Sequence, residues 1–288
     1  MQDLSGSVVS GKYHVLERLR EGRFGDFWTA RRTADSQTVA LKLLKPDLFW
    51  DDNAVARFER ETKLLTSFSH PNMLRVFETG QTQEGVPFIC TEYLPGRLLS
   101  DDIVDLALPV SQVCHIGAQI ARVLASAHMR GIIHRGLNPD AILLYTEGDD
   151  HHKVKLLDFG LAHLSSPSSE EPELTQVGVR LGQPEYMAPE YIEAFTLDAK
   201  TDLYVLGVMV FEMLCGQPPF VGRAISVLAK HCEEDPWAPS DLAEQDVPEW
   251  LDALVLALLA KRPEDRPKDA RQVVRAFATQ TWPPPAET

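Results

Sequence analysis

Residues 134–144 read HRGLNPDAILL, and the segment LLDFGLA follows at residues 156–162. Each is a short polar turn bordered by apolar residues, a pattern that favours a loop held between strands. The first loop carries Gly136, Asn138 and Ala141, none of which has a charged side chain. The question that this stretch raises is whether such a loop supports chemistry or only shape.

Composition and charge limit the functions open to the chain. It has 288 residues, of which 44% are hydrophobic and 24% charged, as in ordinary globular proteins that form one large or two small domains. The formal net charge is −14, which repels nucleic acid and anionic membrane. We therefore expect neither nucleic acid nor a membrane as a partner.

Features of particular segments favour a cytoplasmic protein. The four cysteines, at 90, 114, 215 and 232, lack paired or metal-type spacing, so we expect buried free thiols in a reducing compartment. The first 13 residues lack the pattern of a signal peptide. The apolar run at 203–216 is too short to span a bilayer and contains Glu212, so it predicts a buried helix.

Residues 13–94 favour strands around one helix. Apolar and β-branched residues alternate in YHVLERL (13–19), QTVALKLL (37–44) and VPFICTEYL (86–94), whereas DDNAVARFERETKLLTSF (51–68) has helical spacing. Glu61 falls on the apolar stripe of that helix. A buried carboxylate needs a cation, for which Lys42 is the candidate, but the stripe's solvated edge explains Glu61 equally well.

Residues beyond 95 favour helices. The longest helical pattern begins at Ser111 and stops at Gly131, with apolar residues at 113, 116, 120, 124 and 127. Short apolar runs follow at 132–133, 142–144 and 154–157, and further helices are predicted from about 201 to 278. The pattern predicts a small β-rich lobe followed by a larger helical one.

Eight motifs occur in one fixed order. They are a glycine turn at 21–30, VALK ending at 42, the helix with Glu61, HRxLxP at 134–139, DFG at 158–160, APE at 188–190, DLYVLG at 202–207 and KRPEDRP at 261–267. In this order the chain resembles eukaryotic-type Ser/Thr protein kinases, most closely the bacterial branch, over about residues 13–278.

The resemblance implies an α+β, two-lobed fold. The N-lobe, a small antiparallel sheet with one helix, would cover 13–94, and the mainly helical C-lobe 95–278, with an activation segment at 158–190. Residues 1–12 would form an N-terminal extension and 279–288 a Pro-rich tail.

The resemblance also implies a site for ATP with Mg²⁺. Lys42 would hold the α- and β-phosphates, Glu61 would pair with Lys42, and Asp158 would bind the metal. The nucleotide-binding set is Gly22, Gly25, Phe27, Ala40, Lys42, Glu61, Thr91, Glu92, Leu94, Leu143 and Asp158. The residues with structural roles are Phe159, Glu190, Asp202 and Arg266.

Four positions depart from the family pattern. Gly136 replaces the aspartate that accepts the substrate proton, and Asn138 replaces a lysine at the γ-phosphate. Ala141 replaces an asparagine that binds the second Mg²⁺, and Gln183 replaces a threonine that couples this loop to the substrate-binding segment. Because a general base alone contributes about 10²–10⁴ in rate, we expect a catalytically impaired pseudokinase. The alternative is a slow or unorthodox ATP-dependent Ser/Thr kinase.

Two further departures leave ATP binding open. Arg20 replaces the first glycine of the glycine turn, and Phe27 replaces a valine that covers the adenine. A phenyl ring there would fill the space beside Ala40, whereas the retained Lys42 and Asp158 would suit ATP with one Mg²⁺.

A pseudokinase would act as a signalling scaffold or allosteric regulator. Its expected partners are an active Ser/Thr kinase, a substrate of that kinase, or a phosphothreonine-reading domain. Thr175 lies where bacterial relatives carry a phosphorylated threonine, and Arg135 would meet that phosphate. Alternatively, Thr175 is an ordinary loop residue and Arg135 a structural donor.

Overall fold

The computed structural model describes residues 4–22, 25–104, 106–157 and 183–285. Within the helix at 52–67 it leaves five side chains undescribed, those of Asn53, Arg57, Arg60, Glu61 and Leu64. The described chain divides into two compact units, one up to Pro95 and one from Gly96 onward.

The N-terminal unit is an antiparallel sheet with one long helix. Its strands are β1 (Val8–Val9), β2 (Tyr13–Arg20), β3 (Gly25–Arg32), β4 (Thr38–Leu44), β5 (Val76–Gln81) and β6 (Pro87–Glu92), in the order β1-β2-β3-β4-β6-β5. Helix α1 (Asp52–Ser67) contacts β5 and β6. Alternation places Trp28, Ala30, Leu41 and Leu43 in a buried core on one face of the sheet.

The opposite sheet face carries Phe27, Ala40 and Lys42, because these residues alternate with the core residues along β3 and β4. The core side includes Val9 from β1, whose two residues pair with Tyr13 and His14 of β2. This strand lies within the segment predicted as an extension, and two residues are too few to show a period of alternation.

The C-terminal unit is mainly helical. Its strands are β7 (Gly96–Leu98), β8 (Ile142–Glu147) and β9 (Asp150–Leu156), which form an antiparallel three-stranded sheet. Its helices are α2 (Leu99–Asp102), α3 (Val110–His128), α4 (Pro189–Ala194), α5 (Ala199–Cys215), α6 (Ala224–Glu233), α7 (Pro239–Leu242), α8 (Glu249–Leu258) and α9 (Ala270–Thr279). Helix α3 packs on α5, α9 and β9.

Helix α3 begins at Val110, not at the predicted Ser111. The side chain of Gln245 bonds to the backbone at this start: its Oε1 accepts a bond from Val110 N at 3.1 Å, and its Nε2 donates to Leu108 O at 2.8 Å. Gln245 lies 135 residues further along the chain. Local capping rules do not include this long-range contact, and the observed start differs from the predicted one by a single residue.

Helix α5 forms the centre of the C-terminal unit. Every residue from Thr201 to Leu214 is buried, in accordance with the apolar run at 203–216, since a helix that is apolar all round is buried on all sides. The side chain of Asp198 caps its first turn, and Gly216 ends it at φ 73°. Within the described ranges, no helix is long and apolar enough to cross a membrane. All four cysteines are free thiols, of which Cys90 is buried and the others are half-buried.

A buried histidine lies against α5. His231 of α6 has no exposed surface, and its Nδ1 is hydrogen-bonded to the Tyr204 hydroxyl at 2.8 Å. The Lys261 ammonium donates to the carbonyl of His231 at 2.9 Å. Burial, reinforced by the Lys261 charge, lowers the pKa of His231 from 6.5 to about 4.

We predict that His231 makes the protein less stable in mild acid. The folded state favours the neutral ring. The stabilisation that this ring contributes is therefore complete above pH 6.5 and is lost as the pH falls toward 4. Between pH 7 and pH 5 the loss from this group is on the order of 2 kcal/mol. Urea unfolding of wild type and His231→Gln at both pH values measures this loss. Between pH 7 and pH 5 the free energy of unfolding should fall by about 2 kcal/mol less in the variant than in wild type. His151→Gln, a substitution at an exposed histidine, is the control for replacing an imidazole by an amide. An equal pH dependence in wild type and His231→Gln would contradict the assignment.

Candidate functional site

The loop at 134–141 is held in place by one buried carboxylate. Asp202 of α5 is 1% exposed. Its Oδ2 accepts a bond from His134 N at 2.8 Å, and its Oδ1 accepts one from Arg135 N at 3.0 Å. His128 Nε2 lies 2.7 Å from Oδ2. These bonds offset the cost of burying the carboxylate and fix Arg135 in a left-handed backbone conformation, at φ 63°.

Three positions within the loop lack the groups that the resemblance associates with transfer. Gly136 is exposed. Asn138 uses its amide inside the loop, since Oδ1 accepts from Ala141 N at 3.1 Å and Nδ2 donates to Gly136 O at 3.3 Å. Ala141 is buried at the end of the short 3-10 helix Pro139–Ala141. The side chains at 138 and 141 therefore stabilise the shape of the loop.

Gln183 links the loop at 134–141 to the segment that begins at Pro184. Its Nε2 donates to Asp140 Oδ2 at 3.1 Å, and Gln183 immediately precedes the 3-10 helix Pro184–Tyr186. Asp140 is the residue next to Ala141, and sequence reasoning did not identify this contact. Only the structure brings the two side chains together, because 43 residues separate them.

A second contact that sequence reasoning missed joins Tyr186 to α5. The Tyr186 hydroxyl donates to Glu212 Oε2 at 2.6 Å. Burial raises the pKa of Glu212 to about 6, and it raises the pKa of Tyr186 as well. The signal available in the sequence was a lone carboxylate within an apolar run, which indicates a buried group that requires a donor.

Glu190 and Arg266 form a bidentate ion pair. Arg266 Nη1 and Nη2 donate to the two Glu190 oxygens at 2.8 and 2.7 Å, and the Arg266 side chain has no exposed surface. The Thr201 hydroxyl donates to Glu190 Oε1 at 2.9 Å. The guanidinium also donates to the carbonyls of Ala260, Lys200 and Lys261. All five N–H donors of the guanidinium are thus engaged and each carboxylate oxygen accepts at least one bond, which is what burial of two charges requires.

The N-terminal unit brings part of the predicted nucleotide-binding set onto one sheet face. Phe27 lies opposite Lys42 in the register of β3 and β4, and Lys42 is 6% exposed. The glycine turn before β3 is tight. A Cβ on Gly22 would lie 2.4 Å from Gly25 O, and one on Gly25 would lie 2.5 Å from Leu43 O. Only glycine permits these close approaches.

Other predicted nucleotide-binding residues have these positions. Ala40 pairs with Thr91 between β4 and β6, and Thr91 is buried. Glu92 Oε1 accepts a bond from Arg75 N at 2.9 Å. Leu94 is half-buried at the end of the N-terminal unit, whereas Leu143 lies half-buried on β8 of the C-terminal unit.

Several predicted positions lie outside the described residues. They are Asp158, Phe159 and Thr175, together with the side chain of Glu61. The Lys42–Glu61 pair and the Asp158 metal site therefore stay predictions. Among the residues that are described, no three His, Cys, Asp or Glu side chains are grouped as metal ligands.

Comparison with known families identifies this arrangement. The family model described as "Protein kinase domain" matches residues 13–277. The chain belongs to the protein kinase domain family. This membership confirms the predicted family, and it implies ATP with Mg²⁺ as the family's cosubstrate.

Relatives in the protein kinase family come from several bacteria. The chain is 35% identical over 269 residues to the Ser/Thr-protein kinase pkn3 of Myxococcus xanthus, which covers 92% of this chain and 49% of pkn3. It is 33% identical over 270 residues to the Ser/Thr-protein kinase PknB of Mycobacterium leprae, and this match covers 92% of the present chain and 42% of PknB. The chain thus spans half or less of the length of these relatives.

A solved kinase domain shares the fold. The crystal structure of the Mycobacterium tuberculosis PknI kinase domain matches 98% of this chain and 100% of that chain, with a TM-score of 0.71 and 28% identity. The predicted fold class, an antiparallel sheet in the N-lobe and a helical C-lobe, is confirmed.

We predict that Asp202→Ala lowers the free energy of unfolding by about 3–5 kcal/mol, because His134 N, Arg135 N and His128 lose a buried acceptor. Urea unfolding at pH 7 measures the change. Asp241→Ala removes an exposed carboxylate from the same unit and should change stability by less than about 0.5 kcal/mol. Equal effects of the two substitutions would contradict the anchoring role of Asp202.

Proposed function

We propose that this chain is a transfer-deficient member of the Ser/Thr protein kinase family, a pseudokinase that acts as a signalling scaffold or allosteric regulator. The observation that carries the proposal is a contrast within one loop. The backbone of residues 134–135 keeps its bonds to Asp202. The side chains at 136, 138 and 141 nevertheless offer no carboxylate, no ammonium group and no free metal ligand.

The backbone conformation at position 136 does not require a glycine. Its φ lies outside the left-handed range, and an added Cβ would meet nothing within 4 Å. The fold would therefore accept an aspartate here, so the missing proton acceptor is a change in chemistry rather than a demand of the loop. A positioned general base is worth about 10²–10⁴ in rate.

Asp140 is a poor replacement for the missing carboxylate. Its Oδ2 already accepts a bond from Gln183, and it lies four residues along the loop from Gly136. Asn138 cannot supply a charge to a phosphate, and both ends of its amide bond to the loop backbone. These contacts support the interpretation that the side chains at 138 and 140 stabilise the loop conformation rather than take part in phosphoryl transfer.

ATP with Mg²⁺ is the ligand that the retained residues fit. The tight turn formed by Gly22 and Gly25, together with the buried ammonium of Lys42, suits phosphate groups. Asp158 would bind one metal ion and Glu61 would orient Lys42. When bound, ATP would carry the γ-phosphoryl group that active members of the family transfer.

A protein partner fits the proposed role. We expect an active Ser/Thr kinase, a substrate of such a kinase, or a phosphothreonine-reading domain. Arg135 supports regulation by phosphate: its Nη1 is buried and has no hydrogen-bond partner among the described residues. Burial also lowers the pKa of its guanidinium. A phosphate on Thr175, added by another kinase, would be a suitable acceptor.

The second candidate function is a slow ATP-dependent Ser/Thr protein kinase. The names of the relatives favour it over the pseudokinase: pkn3 and PknB are called Ser/Thr-protein kinases, and each match covers 92% of this chain. Phosphoryl transfer depends mainly on positioning and charge. Lys42 and Asp158 would therefore support residual turnover.

A transfer assay separates the two candidates. We predict that the wild-type chain incorporates no more label from γ-labelled ATP with Mg²⁺ than Lys42→Met does, in itself or in mixed Ser/Thr peptides. Asp158→Ala should give the same background. Label that depends on both Lys42 and Asp158 would support the slow kinase and overturn the pseudokinase.

A restoring variant tests whether the loop is the cause. In Gly136→Asp/Asn138→Lys/Ala141→Asn we expect incorporation to rise by about 10² or more over wild type, because the general base alone is worth that much. The matched control is the same triple variant with Lys42→Met, which should return incorporation to background.

A further inference from the structure

Three side chains form a row across neighbouring strands of the N-terminal sheet. Arg20 of β2 pairs with Phe27 of β3, and Phe27 pairs with Lys42 of β4. The register alone makes the three residues lateral neighbours, so the aromatic ring lies between two cations. We call Arg20, Phe27 and Lys42 the cation–aromatic row.

Contacts within the cation–aromatic row are close. The guanidinium carbon of Arg20 lies 3.9 Å from the centre of the Phe27 ring, and the ammonium nitrogen of Lys42 lies 5.1 Å from it. Both distances fall within the range of about 6 Å in which a cation is attracted to an aromatic face. Because Lys42 is almost completely buried, this attraction is little weakened by water.

The Phe27 ring also packs beneath the glycine turn. A Cβ on Gly22 would lie 3.0 Å from Phe27 Cε2. The ring thus fills the space between the turn and the ammonium of Lys42. In the family pattern a smaller valine stands at this position and a glycine stands at position 20. The two departures from that pattern are therefore the two partners in one contact.

We propose that Arg20 and Phe27 determine the nucleotide affinity of this chain by occupying, with the phenyl ring, the part of the Lys42 face that a nucleotide needs. A bound nucleotide would have to displace the ring and draw the Lys42 ammonium away from it. A ligand's apparent affinity falls in proportion to the fraction of molecules in the open arrangement. This inference rests on the proposed function only in taking the Lys42 face as the nucleotide-binding face.

The test is titration of the 288-residue chain with MgATP by isothermal calorimetry. For Phe27→Val we expect the Kd to fall at least tenfold relative to wild type, because the smaller side chain frees the space under Gly22. For Arg20→Gly we expect a smaller fall, because it releases one face of the ring. Adding Lys42→Met to Phe27→Val should abolish the gain. Phe27→Leu is the second variant if Phe27→Val does not fold, since it keeps apolar volume but removes both cation contacts.

The chain offers a matched control for the ring. Phe77 of β5 also lies between two cations, with Arg32 at 5.2 Å and Arg75 at 5.4 Å from its centre. Phe77→Val should leave the Kd for MgATP unchanged, as should Arg18→Gly, which removes the same charge from β2.

Two outcomes would overturn the proposal. One is a Kd for MgATP that stays the same or rises in the Phe27 variants, which would mean that the ring does not affect nucleotide binding or that it supports the bound base. The other is an equal tightening in Phe77→Val. Neither outcome depends on phosphoryl transfer, so failure of this inference is distinct from failure of the pseudokinase assignment, which the label assay decides.

Discussion

The carboxylate of Asp202 is the constraint on which the rest of the C-terminal unit depends. It is buried on the central helix α5 and accepts bonds from the backbone of His134 and Arg135, with His128 beside it. A buried carboxylate is costly unless its oxygens are satisfied. The loop conformation and the burial of Asp202 therefore stabilise each other, whatever side chains the loop presents to solvent.

In this arrangement, the bonds to Asp202 that fix the loop conformation are made by other groups than the side chains that would take part in a reaction. Backbone N–H donors of His134 and Arg135 anchor the loop to Asp202, and the Glu190–Arg266 pair holds a neighbouring part of the same unit. Positions 136 and 138 lie at or near the surface of the loop. Substitutions there change the available chemistry but remove none of the bonds to Asp202. The bonds to Asp202 that hold this loop therefore do not depend on which side chains stand at positions 136 and 138.

The N-terminal sheet shows a related effect of register. Lys42 is buried on one face, and the strand pairing makes Phe27 and Arg20 its lateral neighbours. A residue that changes at one of these positions acts directly on the other two. Lys42 remains in place, but its surroundings differ from those that the family pattern provides.

The sequence by itself determined the protein kinase family, the alternating strands, the buried helix α5 and the identity of the altered loop residues, because these depend on local periodicity and ordered motifs. Periodicity left the pairing of Glu61 open and the family resemblance implied a pair with Lys42; that side chain lies outside the described residues. Only the tertiary structure showed that Gln245 contacts the start of α3, that Gln183 contacts Asp140 and that Tyr186 contacts Glu212. It likewise placed Arg20, Phe27 and Lys42 in one row. The reason is that these contacts depend on strand register or on long-range packing, and neither leaves a periodic trace in the sequence.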